Sequence, residues 1–258
     1  MASLSNTPAQ YLKRHLARKS RVLLINPPVQ ERRYHWIRWN QPSDVLRLST
    51  WIKKHCAGAD VRLFDFMLPD EAGAVPKHKV KETWTGAEND AQLWHFGTPF
   101  ESFERYLSSA LTTDWCPDLI LITSLTSYWH VPIEKLLIKI CSLLGKQRRK
   151  QARIALYGNY PRFEAEHAGG QPDADVAFTE SVDTRGCCPD FGLYLTASNR
   201  LPLFYALDAY TRMCMHTSSI AWAFKVTTNV PAALHGPRRL LSPFLTRTSA
   251  VRAAAWRT

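Results

Sequence analysis

Short apolar segments rich in β-branched residues alternate with stretches of helical spacing along most of the chain. Five such segments occur, at residues 21–26, 60–66, 118–123, 153–157 and 175–178. Strands that alternate with helices form a parallel sheet covered on both faces, and they are apolar throughout because both faces are buried. The sequence therefore predicts a doubly wound, Rossmann-like α/β domain with a five-stranded parallel sheet and helices on both faces.

The segments between these strands carry helix signals. Ser43 and Asp44 are predicted to cap the first helix, whose apolar residues then repeat at helical spacing. Three further helices are expected over residues 102–111, 132–145 and 161–167, with Gly145 as a helix stop.

The chain divides into unequal parts. Residues 1–20 form a basic segment without the apolar core of a secretory signal, and residues 21–182 form the α/β domain. Residues 68–99 are polar and aperiodic, which predicts a long insertion in that domain. Residues 183–258 are expected to be a linker and an irregular C-terminal extension. No apolar run reaches the ~20 residues that span a bilayer, so no membrane partner is expected.

Charge and cysteine content narrow the class of protein. The formal net charge of +11 would suggest nucleic acid as a partner. From residue 209 to the end, however, there are seven Lys or Arg and no Asp or Glu, so much of the excess charge lies in a tail without a legible nucleic-acid recognition fold. Six cysteines without repeated spacing favour reduced thiols and a cytoplasmic location over a disulfide framework.

The loops that follow the strands are the candidate ligand site. In a doubly wound sheet the crevice lies beyond the carboxyl ends of the strands. The residues there are small, carry hydroxyl groups or expose the backbone. Such residues allow a large ligand to approach the strand ends closely. The candidate cofactor contacts are Asn26, Pro27, Pro28, Ser124, Leu125, Thr126, Ser127, Gly158, Asn159, Tyr160, Thr179 and Glu180.

Each of these signals has a structural alternative. Gly158 either permits close approach of a ligand or supplies only a turn with positive φ. The hydroxyls of residues 124–127 also suit capping and turns. Trp129 and His130 are residue types that pack more often than they bind ligands. Both interpretations remain open from the sequence.

Common catalytic motifs are absent from the sequence. There is no GxGxxG after the first strand, no GxxxxGK[ST] and no GxSxG. Glu164 and Glu166 fall on a short helix and are expected to be solvated, so they do not form a catalytic pair. Cys187 and Cys188 have no partnering histidine, which favours incidental cysteines over a redox or metal site. No catalytic residue is assigned.

A series of segments carries a family resemblance: RVLLINPP, LSTWIKK, DVRLFDF, WHFGTPFESFERYL, DLILITSLTSYWHVPIEKLL, ALYGNYPRFEAEHA and DADVAFTE. Its most specific pieces are TSLTSYWH and YGNYPRFEAEHA. Together with the strands between them, over residues 21–181, they resemble the amino-terminal cobalamin-binding domain of cobalamin-dependent radical S-adenosylmethionine enzymes. The resemblance implies cobalamin over the carboxyl edge of the sheet, without a histidine ligand to cobalt, and the sequence contains no DxHxxG. It implies that Ser124, Thr126 and Ser127 face the corrin or its tail. Residues 158–160 would pass under the nucleotide, with Asn159 where a second glycine is usual.

The same family continues into a radical domain with a [4Fe–4S] cluster and S-adenosylmethionine. The segment PDFGLY, residues 189–194, matches the approach to that domain, and Cys214 stands where the first cluster ligand should be. The next two ligand positions hold Ser218 and Ala221. One thiolate cannot hold a cluster, so Cys214 is the sole remaining candidate metal ligand and the radical part is expected to be truncated or degenerate.

Two functional hypotheses follow. The first is a cobalamin-binding module, related to methyltransferase-like radical enzymes, which is catalytically incomplete alone and works with a separate catalytic polypeptide. The second is a non-catalytic structural or interaction protein that kept the fold, lost the cofactor and docks a partner through its basic C-terminal segment.

Overall fold

The computed structural model describes residues 3–5, 7–16, 19–31, 42–69, 74–80, 93–124, 130–190 and 192–193. In chain order the elements are β1 (Ser3–Ser5), α1 (Pro8–His15), β2 (Arg21–Asn26), β3 (Val29–Glu31), α2 (Ser43–His55), β4 (Asp60–Asp65), β5 (Lys77–Lys79), β6 (Trp94–Phe96), α3 (Phe100–Thr112), β7 (Leu119–Ser124), α4 (His130–Arg149), β8 (Arg153–Gly158), α5 (Asn159–Phe163), α6 (Ala165–Gly169) and β9 (Val176–Phe178).

A parallel sheet forms the centre of the fold. Its strand order is β1-β9-β8-β7-β2-β4, and every pairing is parallel. The five predicted strands are all present, which confirms the Rossmann-like α/β fold. A sixth short strand, Ser3–Ser5, comes from the basic N-terminal segment and pairs with β9. All six residues of β7 are buried, as expected for a strand covered on both faces.

Helices cover both faces of this sheet. Alternate residues of β2 belong to different cores: Leu23 and Ile25 pack with α3 and α4, whereas Val22 and Leu24 pack with α1 and α2. This alternation is the two-residue period of an extended strand. The amphipathic helices bury their apolar faces on the sheet, and this burial is the main favourable contribution to folding.

The chain reverses its winding direction at β2. It passes from β2 through α2 to β4 on one side, and then through α3 to β7 on the other side of β2. The later strands continue away from β2. The helices on the two sides of this reversal cover opposite faces. The ends of β2 and β7 therefore flank the topological switch point, where ligands bind in open α/β sheets.

The predicted insertion contains secondary structure that its aperiodic sequence did not indicate. β5 and β6 form a small antiparallel sheet with β3, in the order β3-β6-β5. This sheet has its own apolar cluster of Val29, Met67, Val75 and Phe96. Residues 70–73 and 81–92 of the insertion lie outside the described residues.

Three helix predictions need correction in detail. Pro42, not Ser43 or Asp44, is the N-cap of α2, and it makes no side-chain capping bond because proline carries no side-chain acceptor. The short helix expected over 161–167 is divided into α5 and α6 at Glu164, whose ψ of 51° is not helical. Gly145 interrupts α4 with φ 61° and ψ 173°, but a further helical stretch follows it, up to Arg149.

The start of the predicted linker packs against α2. Asp190 Oδ2 accepts hydrogen bonds from Ser49 Oγ (2.7 Å) and Lys53 Nζ (2.5 Å). Thr50 Oγ1 donates to the Cys188 carbonyl, and Leu193 is buried among the residues of the α2 core. The described part of the PDFGLY segment is thus attached to the α/β domain. Of the helices that the structure describes, none has the length and apolar character to cross a membrane.

Candidate functional site

The carboxyl ends of the central strands lie together at one edge of the sheet. Asn26 at the end of β2 is in register with Asp65 at the end of β4, and Ser124 of β7 is in register with Gly158 of β8. The parallel pairing of β2 with β7 joins these two halves. The loops named as the candidate ligand site therefore begin at a common edge.

Polar side chains at this edge hold the strand ends to one another. Asn26 Nδ2 donates to Asp65 Oδ1 at 2.7 Å, and the same oxygen accepts the Met67 backbone N–H at 2.9 Å. Thr123 Oγ1 donates to the Ile25 carbonyl at 3.0 Å. Asn26, Asp65 and Thr123 are all buried. These hydrogen bonds satisfy groups that would be costly to leave unpaired away from water.

The β2 end of the edge is covered by the protein itself. Asn26, Pro27 and Pro28 are buried, and β3 begins directly after them. The Phe66 backbone N–H donates a hydrogen bond to the Asn26 carbonyl, and the Phe66 carbonyl accepts one from the Thr98 backbone N–H. These bonds link the end of β2 to the small sheet. These three predicted contacts therefore offer little surface to a ligand.

Gly158 has a conformation and a contact that only glycine tolerates. Its φ is 99° and its ψ is −153°, a region that residues with a side chain avoid. A Cβ atom built there would lie 2.6 Å from the Ser124 carbonyl oxygen. The close neighbour of Gly158 is thus the backbone of the adjacent strand, which supports the structural interpretation of this glycine and leaves the ligand interpretation untested.

Tyr160 turns into the core and not toward the edge. Its ring is 1% exposed, and its hydroxyl lies 2.7 Å from His167 Nδ1. Gln171 Nε2 donates to the same hydroxyl at 3.1 Å. Burial raises the pKa of Tyr160 to about 12, so the phenol is neutral at physiological pH. The large side chain after Asn159 therefore does not cover the strand ends.

The more accessible part of the edge lies over β8 and β9. Asn159 and Thr179 are half-buried, and Glu180 is exposed, whereas Ser124 is buried. The predicted contacts Leu125, Thr126 and Ser127 lie outside the described residues, as do Trp129 and the candidate cluster ligand Cys214. Glu164 and Glu166 are exposed, as expected.

A polar cluster that the sequence did not reveal lies beside this edge. It consists of His130, Glu134, Tyr160, His167 and Gln171, from α4, α5, α6 and the turn before β9. Gln171 Nε2 donates to Glu134 Oε1 at 3.1 Å, and His167 Nε2 lies 3.7 Å from the same oxygen. The sequence signal was HVPIE, because residues four apart share a helix face. No sequence pattern indicated that α6 packs against α4.

A second histidine missed from the sequence is buried at the small sheet. His95 Nε2 donates to the Thr98 carbonyl at 3.1 Å, so its Nδ1 accepts from Gln30 Nε2 at 3.3 Å. Burial lowers the pKa of His95 to about 4, which keeps the ring neutral. This tautomer sets the orientation of the Gln30 amide, with Nε2 toward His95. Gln30 Oε1 is then buried without a hydrogen-bond partner among the described residues.

A cavity of about 400 Å³ lies at the opposite edge of the sheet. It is lined by residues at the amino ends of the strands, including Ser20, Asp118 and Arg153. Ligands of open α/β sheets bind beyond the carboxyl ends, so this cavity is not the predicted site. The described cysteines, Cys56, Cys116, Cys141, Cys187 and Cys188, are free thiols.

Comparison of the chain with protein-family models, with curated proteins and with solved structures gave no match.

Proposed function

We propose that the chain is a cobalamin-binding module that holds its cofactor over the carboxyl ends of β7, β8 and β9. The observation that carries this proposal is the strand order with its switch point between β2 and β7. The five strands β4, β2, β7, β8 and β9 lie side by side in the flavodoxin-like order, in which the ligand binds at the switch point. The two segments that resemble the cobalamin-binding family most specifically, TSLTSYWH and YGNYPRFEAEHA, start at the ends of β7 and β8.

The residues at this edge fit a large flat cofactor in shape and donor type. Gly158 has no side chain, Asn159 and Thr179 are short and polar, and the Tyr160 ring is turned into the core. In this proposal cobalamin is bound without a protein histidine ligand to cobalt. Binding would come from backbone and hydroxyl contacts and from apolar burial of the ring, which contributes roughly 25 cal/mol per Å².

Catalysis by this chain alone is not part of the proposal. In the family, bound cobalamin supplies methyl transfer or rearrangement chemistry together with a [4Fe–4S] cluster and S-adenosylmethionine. Cys214 offers one thiolate, and Ser218 and Ala221 occupy the other ligand positions. This donor set does not fit a cluster held by cysteine thiolates. A separate catalytic polypeptide is therefore the partner that we propose.

Retention of cobalamin tests the proposal directly. The purified full chain is incubated with hydroxocobalamin and desalted, and its visible spectrum is recorded. Corrin absorbance that co-elutes with the protein in a 1:1 ratio supports the module. Its absence at micromolar protein concentration would refute it. Anaerobic reconstitution with iron and sulfide is the companion measurement, since a stoichiometric cluster would overturn the proposed loss of the radical part.

A pair of variants locates the binding edge. Asn159→Trp places a large ring at the accessible edge and is expected to abolish cobalamin retention. Glu166→Trp puts the same side chain on an exposed position of α6 and is expected to retain it. Circular dichroism of both variants checks that the fold persists. Equal retention by the two would show that cobalamin binds elsewhere on the chain.

The alternative function is an interaction protein that kept this fold without the cofactor. One observation favours it: Asn26, Pro27 and Pro28 are buried at the switch point, where a cofactor-binding edge is expected to be open. In this hypothesis the basic C-terminal segment docks the partner. Co-purification of a partner with the full chain, lost after removal of residues 209–258, together with no cobalamin retention, would support it.

A further inference from the structure

Two histidines and one glutamate converge next to the carboxyl edge. His130 and Glu134 are four residues apart at the start of α4, and therefore project from the same helix face. His167 reaches them from α6. One potential ligand atom from each residue lies within 4.8 Å of the others, and His167 Nε2 is 3.7 Å from Glu134 Oε1.

These spacings are close to those of a metal site. Zinc–ligand bonds of about 2.1 Å at tetrahedral angles place ligand atoms roughly 3.4 Å apart. Small side-chain rotations of His130 and His167 would close the observed spacing, and both rings are partly exposed. The partial exposure also provides an entry path for the ion and leaves room for water as a fourth ligand.

The surrounding hydrogen bonds prepare His167 to use its Nε2 atom. The Tyr160 hydroxyl oxygen lies 2.7 Å from His167 Nδ1, where it can accept a hydrogen bond from Nδ1–H. The lone pair of Nε2 then faces Glu134. Metal-bound histidines are commonly oriented by such a contact at their other nitrogen. Gln171 in turn fixes both Tyr160 and Glu134, because its Nε2 donates to each at 3.1 Å.

We propose that His130, Glu134 and His167 form a divalent-metal site, with zinc as the ion that best fits two imidazoles and one carboxylate. Two histidines and a glutamate with an open position form a ligand set that zinc enzymes use. None of the three proposed ligands is a predicted cofactor contact, and of those contacts only the buried Tyr160 takes part, as the partner of His167. The site does not use the cluster position at Cys214 either.

Zinc titration of the full chain tests the site. The protein is treated with a chelator, its thiols are alkylated with N-ethylmaleimide, and Zn²⁺ binding is followed by calorimetry without cobalamin present. We expect 1:1 binding at micromolar or lower concentration. We also expect at least tenfold weaker binding at pH 5.5 than at pH 7.5, because the histidine ligands must be deprotonated. Absence of binding to the alkylated protein would overturn the proposal.

Variants assign the binding to these residues. Glu134→Gln keeps an acceptor for Gln171 and is expected to weaken Zn²⁺ binding by about a hundredfold or more, as is His167→Ala. Tyr160→Phe removes only the orienting hydroxyl, and a loss of roughly 10–100-fold is expected. Glu166→Gln is the matched control on α6 and should bind like the unchanged protein.

Two readouts separate loss of the site from loss of the fold. With a chelator present, Glu134→Gln should have nearly the same melting temperature as the unchanged protein. Added Zn²⁺ should raise the melting temperature of the unchanged protein but not that of Glu134→Gln. Co²⁺ bound to the alkylated protein should show visible bands without thiolate charge-transfer absorption. Zn²⁺ binding that persists in Glu134→Gln and His167→Ala would place the metal elsewhere and overturn the proposal.

Discussion

The Asn26 amide donates to the Asp65 carboxylate at 2.7 Å, and this bond ties the end of β2 to the end of β4. Both residues are buried, with 5% and 2% of their surface exposed. The carboxylate has a second described donor, the Met67 backbone N–H. The pair therefore holds the ends of β2 and β4 in register, beside the switch point and where the small sheet begins.

Replacement of Asn26 by alanine is expected to destabilise the fold by about 1–3 kcal/mol. The cost arises because Asp65 loses a donor in a place from which water is excluded. Urea unfolding at pH 7 measures the change. Ser108→Ala, on the exposed face of α3, is the control and should change the free energy of unfolding by less than about 0.5 kcal/mol. Equal stability of the two variants would contradict the role of the pair.

Gly158→Ala is expected to be more destabilising than Gly145→Ala. Both glycines have a backbone conformation that side chains avoid, with a cost of about 1–3 kcal/mol. A methyl group at Gly158 also meets the Ser124 carbonyl at 2.6 Å, whereas at Gly145 nothing lies within 4 Å. Overpacking should add about 1–3 kcal/mol to the Gly158 variant. Denaturant unfolding of both proteins measures the difference, and equal losses would show that the contact relaxes freely.

The central strands could be predicted because their signal is local. β7 is apolar in sequence and buried at every position, so burial on both faces is legible without knowledge of its neighbours. By contrast, β5 is Lys77–Lys79, a charged and fully exposed strand defined only by its pairing with β6. β5 has only three residues and none of them is apolar, so it carries no local strand signal, and the insertion was therefore expected to be irregular.

The edge of the sheet was predictable, but the chemistry beside it was not. Parallel strands place their carboxyl ends together, so the location of Asn26 and Gly158 follows from the fold class alone. The approach of His167 to Glu134 depends on how α6 packs over a separation of more than thirty residues, and no local pattern encodes it. The burial of His95 likewise depends on the small sheet, which the sequence did not reveal.

Attachment of the 186–193 segment to α2 is expected to depend on Asp190. The carboxylate joins Ser49 and Lys53, and the Asp190 backbone N–H donates to the Leu46 carbonyl. In Asp190→Ala, hydrogen exchange of this segment should accelerate roughly tenfold or more. Asp190→Asn keeps an acceptor for Ser49 and should show a smaller effect.

A surface ion pair just before this segment provides the control. Asp183 and Arg185 are paired in solvent, so Asp183→Asn should leave hydrogen exchange almost unchanged. Exchange that is equally fast in the Asp183 and Asp190 variants would show that the segment is not held by α2. Mass spectrometry of peptides covering residues 186–193 measures these rates.

His95 is expected to make the fold less stable at acid pH. Burial lowers the pKa of His95 to about 4 in the folded chain, whereas an unfolded histidine titrates near 6.5. The unfolded chain therefore binds more protons between these values. The stability contributed by the neutral ring is complete above pH 6.5 and is lost as the pH falls toward 4. The neighbouring His78 opposes protonation of His95, as does Lys135, whereas Glu101 favours it.

The loss should amount to about 2 kcal/mol between pH 7 and pH 5. His95→Gln retains a donor for the Thr98 carbonyl but does not titrate, so its free energy of unfolding should fall by about 2 kcal/mol less over the same interval. Urea unfolding at several pH values compares the two proteins. His15→Gln, at an exposed histidine at the end of α1, is the matched control for loss of an imidazole outside the core. Parallel pH profiles for all three proteins would show that another group causes the acid sensitivity, because only the His95 variant removes the buried imidazole.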